Sequence, residues 1–299
     1  MGDWARRGFL RGATGLLALG SGGALLARPA AALPPIQSRR TLLLDGAAVG
    51  PVLATIDPTV GVKYEEISFQ CGVGMSKSLY AWLQAGPDGQ TRRSGALVDA
   101  SGERIEFTNA LITELGMPAL DVKSQEPALL SVRARPESTR RTVGAKLKAA
   151  TAPPTNRRWL AANFLLQIDG LDALGPQVER VDALTIRQKA VPDSLAVQWE
   201  HPARADLEAP NLVLTLVEPA AAVHQWLEVS LAQRASVRAG SLAYFADDGT
   251  TELFTVQLAG LRPLRVGQEQ PASDEQPRIK VELYCEELRI KPNAAALGR

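Results

Sequence analysis

The sequence is poor in the residue types that most often carry catalysis and metal binding. Its 299 residues include two histidines, His201 and His224, and two cysteines, Cys71 and Cys285. The GxSxG, HExxH and CxxC patterns do not occur in it. A metal site needs three or four ligands that converge, and no spacing in this chain indicates such convergence. The sequence therefore predicts no catalytic, cofactor-binding or metal-binding residues.

Charge of one sign and aromatic side chains are also scarce. The chain has 33 Lys and Arg against 32 Asp and Glu, which gives a net charge of +1, and 5% of its residues are aromatic. A surface for nucleic acid needs a basic excess, and aromatic side chains commonly stack on its bases. The basic clusters at 91–93, 135–141 and 155–158 are short, separated and free of interleaved aromatics. No nucleic-acid partner is therefore predicted.

The apolar run near the amino terminus, residues 13–27, is short and diluted by glycine. A membrane-spanning helix needs about 20 apolar residues, so a membrane anchor is the less favoured alternative. Paired arginines precede the run and small residues follow it, which is typical of a twin-arginine export signal over residues 1–32. The residues that carry this signature are Arg6, Arg7, Phe9 and Leu10. We expect export of the folded protein to the periplasm or beyond, with no membrane span after cleavage.

The chain repeats itself in five segments that fall in the same order in both halves. "LLLDGAAVGP" matches "LQIDGLDALGP", "LATI" matches "ALTI", and "EISFQCGVGMSKSLYAWLQA" matches "NLVLTLVEPAAAVHQWLEVS". "GALVDASGERIEFTNALI" then matches "GSLAYFADDGTTELFTVQLAG", and "LLSVRAR" matches "RIKVELY". One match would be chance, but five in order predict a duplicated domain.

Each copy alternates apolar and polar residues in short runs, which favours antiparallel strands. One amphipathic helix interrupts the strands of each copy; its apolar face carries Leu79, Trp82 and Leu83 in the first copy and Val223, Trp226, Leu227 and Leu231 in the second. Hairpin turns are expected at Asp45-Gly46, Asp169-Gly170, "DASGE" and "DDGT". The fold class is therefore mainly β with one helix per repeat, as two tandem antiparallel β-sandwich or barrel domains.

The domain boundaries follow from the repeat and from composition. We expect the export signal over 1–32, the first domain over 33–136, a linker over 137–158, the second domain over 159–291 and a tail over 292–299. The linker prediction rests on charged and small residues with prolines. Cys71 and Cys285 continue the apolar phase of their strands, which predicts buried free thiols, with a disulfide as the alternative.

A glycine-rich turn between a strand and a helix, "CGVGMSKSLYAWLQA" over 71–85, is similar to a phosphate-binding loop. However, the GxxxxGK[ST] pattern is absent around Lys77. The second copy reaches its helix through "LVEPAAAV", without glycine or lysine, so both copies solve the same strand-to-helix connection. We therefore interpret this loop as part of the scaffold and predict no nucleotide cofactor.

Taken together, the two copies resemble the phage tail-tube protein family in its tandem, two-domain bacterial form. The resemblance covers residues 39–290, and its segments include "LLLDGAAVGPV", "YEEISFQCGVGMSKSLYAWLQA", "FTNALITELGMPALD", "NFLLQIDGLD", "ALTIRQK" and "RIKVELYCEEL". It implies domains that join sheet edges around a six-fold or pseudo-six-fold ring, with rings that stack into a tube. A chain with two copies would then need three subunits per ring. The implied partner is the chain itself, as a trimer or stacked rings, together with other envelope or tail-like components.

The two copies differ in the loop before the third strand. The second copy keeps about fifteen more residues there, over 187–211, and the resemblance implies a contact with a neighbouring subunit or ring, with Trp199 as a candidate anchor. A proline-bearing loop without a role is the alternative. We expect a non-enzymatic, self-assembling structural protein; the alternatives are an exported binding module with a cleft between the β domains and a hydrolase with an unrecognised site.

Overall fold

The chain is mainly β, as the alternating apolar pattern predicts. The computed structural model describes residues 36–56, 66–72, 75–85, 91–143, 159–188, 207–233, 237–269 and 277–293. The first copy contains β1 (Ile36–Leu44), β2 (Ala47–Ile56), β3 (Ile67–Cys71), α1 (Lys77–Ala85), β4 (Arg93–Val98), β5 (Glu103–Met117), β6 (Leu120–Asp121), β7 (Leu130–Arg135) and β8 (Ser138–Val143).

The second copy has the same order of elements, with additions after its first strand and without a counterpart of β6. It contains β9 (Trp159–Ile168), a 3₁₀ turn (Gly175–Gln177), β10 (Val178–Val181), β11 (Leu184–Gln188), β12 (Leu207–Glu208), β13 (Leu212–Val217), α2 (Ala221–Gln233), β14 (Arg238–Ala246), β15 (Glu252–Glu269), β16 (Arg278–Tyr284) and β17 (Glu287–Pro292). Both copies belong to one compact unit, Pro34–Arg299.

The first barrel closes on itself. Its strands follow one another in the order β5-β4-β1-β2-β3-β7, and β7 pairs again with β5, so the sheet returns to its starting strand. Because the sheet is closed, these strands have no free edge over most of their length. Their backbone N–H and C=O groups are therefore hydrogen-bonded to neighbouring strands. Buried apolar side chains such as Leu42, Phe69 and Trp82 fill the core.

The second barrel has a gap. Its strands run in the order β9-β14-β15-β16-β13-β10, and β9 does not pair with β10 as β1 pairs with β2. The other pairings recur: β14 lies between β9 and β15 as β4 lies between β1 and β5, and β17 pairs with β15 as β8 pairs with β5. Trp159, Tyr244 and Phe254 pack ring against ring in the core, with centroids 4.2 to 5.4 Å apart.

Most local predictions agree with the structure. Asp45 and Gly46 form a tight turn with φ of 49° and 83°, and the Asp99 and Asp248 carboxylates accept backbone N–H groups within the two later hairpins. Cys71 and Cys285 are free and buried, as their strand phase predicts.

Four local predictions need correction. Asp169-Gly170 turns the chain but joins no hairpin, because β9 leads into a 3₁₀ turn and does not pair with β10. Leu231 is 40% exposed, whereas Ser230 beside it is 3% exposed, so Ser230 and not Leu231 continues the buried face of α2. "LATI" does not correspond to "ALTI": Ala54 pairs with Phe69 as Val181 pairs with Leu214, so the counterpart of β2 is β10.

The fourth correction concerns the segment 137–158. Residues Ser138–Val143 are not linker, because they form β8 and pair with the first half of β5, from Glu103 to Thr108. Residues 144–158 lie outside the described residues. Strand β8 therefore carries the first domain's sheet beyond the boundary expected at residue 136.

Candidate functional site

The two barrels exchange segments, and we call the region where they do so the joint. Strand β11 continues from β10 but leaves the second barrel and pairs with the end of β5 in the first. Ile186 lies opposite Leu115, and Leu184 lies opposite Met117. All four side chains are buried, so the added strand extends the hydrophobic core and not only the backbone ladder.

The same strand begins a hairpin with β12, whose two residues pair with Arg187 and Gln188. The Nε of Arg187 donates to Oε2 of Glu114 on β5 over 3.0 Å. Both groups are partly exposed, so this ion pair adds little stability, and its main effect is to fix the register of β11 against β5. The base of the long loop at 187–211 therefore contacts the neighbouring domain of its own chain.

A second exchange runs in the opposite direction. Strand β6, from the first copy, pairs with β10 on the open side of the second barrel. Further along the same segment, the Ala128 N–H donates to the Trp159 carbonyl over 2.9 Å, and the Ala161 N–H donates to the Glu126 carbonyl over 3.2 Å. Residues 120–128 therefore bridge the gap between β10 and β9.

The first barrel has no place for an equivalent segment. In that barrel β1 pairs with β2 along its whole length, from Ile36 opposite Ile56 to Leu44 opposite Ala47. The position that β6 occupies beside β10 is therefore already filled beside β2. The segment exchange is asymmetric, although the two domains share one fold.

A charged cluster crosses the joint around Glu179 on β10. Its side chain is 11% exposed and contacts Lys123 of the first copy and Arg278 of the second. Nη2 of Arg278 donates to Oε1 of Glu179 over 3.1 Å. Burial alone would raise the pKa of Glu179, but the hydrogen bonds and charges of Lys123 and Arg278 outweigh burial and lower this pKa. The ionised carboxylate therefore stabilises the joint.

A third contact links α1 to the second barrel. The side-chain amide of Gln84 donates to the Ile290 carbonyl on β17 over 3.2 Å. The joint thus combines a β-strand addition, an inserted segment and a helix contact.

The second barrel carries an open counterpart of the β5 edge. Residues Arg262–Glu269 of β15 pair with β16 on one side, and β14 and β17 pair only with earlier residues of β15. Among the residues that the structure describes, no strand covers the other side of this stretch. We call Arg262–Glu269 the open edge.

A groove of about 370 Å³ lies beside the open edge. Its lining carries both signs of charge, including Arg265, Glu269 and Lys280. Nζ of Lys280 lies 3.1 Å from Oδ2 of Asp182, so part of this charge is already neutralised within the groove. The groove therefore offers no single charge that would select a small ionic ligand.

The residues singled out in the sequence differ in whether the structure describes them. Arg6, Arg7, Phe9 and Leu10 of the predicted export signal lie outside the described residues, as do Trp199 and His201. His224 is exposed on α2, and Lys77 is exposed at the first residue of α1, where the Ser76 and Ser78 hydroxyls hydrogen-bond each other over 2.6 Å.

Two kinds of feature are absent from the described residues. In the segments that the structure covers, no cluster of three or more His, Cys, Asp or Glu side chains is suited to a metal ion. Neither helix in those segments has the length and apolar character needed to cross a membrane.

The sequence predicts a contact of the long loop with a neighbouring subunit or ring, which stays a prediction, but it does not indicate either of the segments exchanged within the chain. Strand β6 has two residues, Leu120 and Asp121, which is too short for a periodic signal. Strand β11 does alternate, with Leu184 and Ile186 on one face, but alternation does not specify which sheet a strand joins. In the sequence, the difference between the two copies shows at one place only, the extra length between β11 and β13.

Comparison with known proteins gives a structural likeness but no match in sequence. No protein-family model matches the sequence, and no curated protein matches it. Among solved structures, a chain of the anti-feeding prophage baseplate is similar to 48% of this chain and 98% of its own length, with 12% identity and a TM-score of 0.34.

Proposed function

We propose that this protein is a structural subunit that is exported folded and self-assembles, with three chains closing into a ring of six domains. The observation that carries the proposal is the addition of β11 to β5, in which a strand of one domain completes the sheet of its neighbour. Strand addition of this kind joins domains through their backbones and does not depend on a particular side-chain chemistry. The protein needs no cofactor for this role.

The open edge supports the step from a joined pair to a larger assembly. A chain that covers one sheet edge internally and leaves the equivalent edge uncovered among the described residues keeps an edge that can accept a strand from another copy. Contacts of that heterologous type close into rings when the rotation between units divides a full turn. The ring of three chains is the closure that the tail-tube resemblance implies.

Light scattering after size-exclusion chromatography, followed by negative-stain imaging, tests the assembly. We expect a mass of three chains or a multiple of it, and ring-shaped particles. A chain that stays monomeric at high concentration and gives small discrete particles would instead support an exported binding module.

Export is tested separately by a double substitution, Arg6→Lys with Arg7→Lys. We expect the unchanged chain in the periplasmic fraction, shortened by removal of the signal, and the double variant in the cytoplasm at full length. Wild-type chain that stays in the cytoplasm would remove export from the proposal without affecting assembly.

A further inference from the structure

The contact between α1 and the second barrel has a counterpart position on α2. On α1, Gln84 follows the buried pair Trp82-Leu83, and its side-chain amide donates to the Ile290 carbonyl on β17. On α2, Glu228 follows the buried pair Trp226-Leu227. Glu228 therefore takes the place of Gln84.

The other partner in that contact, Ile290 on β17, has its counterpart on β8. Strand pairing aligns residues in rows across each barrel. The matching rows are Leu42, Leu97, Ile105 and Arg141 in the first barrel and Leu166, Leu242, Val256 and Ile290 in the second. Both rows begin at matching residues of the repeat, because Leu42 and Leu166 each precede an Asp-Gly pair by three residues. Arg141 therefore takes the place of Ile290.

The face of α2 that carries Glu228 is exposed. His224, Glu228 and Leu231 follow one another at spacings of four and three residues, so they share one side of the helix. All three are exposed, whereas Tyr80, which takes the place of His224 on α1, is 6% exposed. Helix α2 thus presents a carboxylate and an apolar side chain to solvent.

Strand β8 presents the second exposed surface. Arg141 is exposed and Val143 is 85% exposed, whereas Leu288 of the matching strand β17 is 7% exposed. Glu103 lies opposite Val143, on the face that includes Arg141. However, Oε2 of Glu103 accepts a hydrogen bond from Nη2 of Arg40 over 3.0 Å, so its charge is compensated within the barrel.

The internal joint determines which of these surfaces remain for another chain. It uses the helix of the first domain and the last strand of the second, α1 and β17. The helix of the second domain and the last strand of the first, α2 and β8, are the remaining pair. Repetition of the same contact from chain to chain would bring α2 of one copy against β8 of the next, which is a head-to-tail arrangement.

We propose that α2 of one chain docks on β8 of another copy, with Glu228 bound to Arg141 and the exposed Leu231 and Val143 beside this pair. The two residues that replace Gln84 and Ile290 carry opposite charges, and a guanidinium paired with a carboxylate makes strong hydrogen bonds. This inference rests on the proposed function and adds a rule to it: first and second domains alternate around the assembly.

A charge swap tests the pair. Glu228→Arg alone or Arg141→Glu alone should weaken each contact between chains about fivefold or more, because like charges then meet. The chain with both substitutions restores opposite charges and should associate like wild type. Arg140→Glu is the matched control, because the side chain of Arg140 lies on the opposite face of β8. Sedimentation velocity over a concentration series measures association, and circular dichroism verifies folding.

Cross-linking tests which surfaces meet. When chains that carry Glu228→Cys are mixed with separate chains that carry Arg141→Cys, a short bismaleimide should link the two different chains. Wild type, whose two cysteines are buried, should stay unlinked. Chains with Arg140→Cys, used in place of Arg141→Cys, should link much less.

The outcomes separate the two proposals. Wild-type rings with unaffected single charge variants would overturn the inference while leaving the ring intact. A double variant as weak as the single variants would overturn it too, because the charges would then act without pairing. Linking of Glu228→Cys chains only to one another would mean that α2 meets α2. A monomeric wild type would remove both proposals.

Discussion

Leu115 lies opposite Val132 on β7 as Val266 lies opposite Val281 on β16, and this correspondence between the two copies allows one prediction to be worked out in detail. Leu115→Ala removes three methylene-sized groups from a side chain that is 1% exposed. At about 0.8 kcal/mol for each group, the transfer term is about 2.4 kcal/mol. The cavity left between β5, β7 and β11 adds to this, so we expect a loss of about 2–5 kcal/mol in the free energy of unfolding.

Val266→Ala removes two such groups from a side chain that is 37% exposed. We therefore expect a loss of about 1 kcal/mol at most, provided that the chain is dilute enough to be monomeric. Urea unfolding, followed by tryptophan fluorescence and by circular dichroism, measures both variants. Equal losses at the two positions would refute the reasoning, because they would mean that the two edges are equally covered.

The contribution of β11 is isolated by a double-mutant cycle. Ile186→Ala should also destabilise the chain, and its combination with Leu115→Ala should differ from additivity by about 0.5–3 kcal/mol because the two side chains face each other. Additive losses would mean that β11 does not cover Leu115 in solution.

Three further predictions concern pH, thiol reactivity and a buried hydroxyl. Because the pKa of Glu179 is lower in the folded chain than its ordinary value of 4.5, the ionised carboxylate stabilises the fold at pH values above 4.5, and this stabilisation is lost as pH falls through the lowered pKa. The free energy of unfolding, measured over a series of acid pH values, should therefore depend less on pH in Glu179→Gln. Burial raises the pKa of Cys71 to about 12, and it also raises the pKa of Cys285, so a thiol reagent at neutral pH should label both only after denaturant is added. The Tyr244 hydroxyl is buried with no hydrogen-bond partner among the described residues, so Tyr244→Phe should leave the melting temperature unchanged or raise it, whereas a clear decrease would mean that the hydroxyl is bonded.

The parts of the fold that depend on local pattern could be predicted from the sequence. Period-two alternation indicated the strands, and helical spacing placed Trp82 and Trp226 in the core, where both are buried. Asp45-Gly46 indicated its turn because glycine accepts positive φ. In these cases the residue type and its spacing carry the information without reference to a distant partner.

The joint could not be predicted in the same way. The destination of β11 depends on an edge of β5 that lies about seventy residues earlier in the chain. The pairing of β6 with β10 depends on a gap that exists only because β9 and β10 do not pair. Both pairings depend on how the two domains are assembled. In addition, β6 has only two residues, which is too short for a periodic pattern that would predict a strand.

The reciprocal exchange between the barrels has a consequence for how the protein responds to dilution. Two domains held on one polypeptide meet at an effective concentration in the millimolar range, whatever the amount of protein in solution. In the ring of three chains that we propose, every second contact would then be insensitive to protein concentration, and only the contacts between chains would come apart on dilution. Two domains on one chain would in this way halve the number of association steps between chains that are needed to close a ring of six domains.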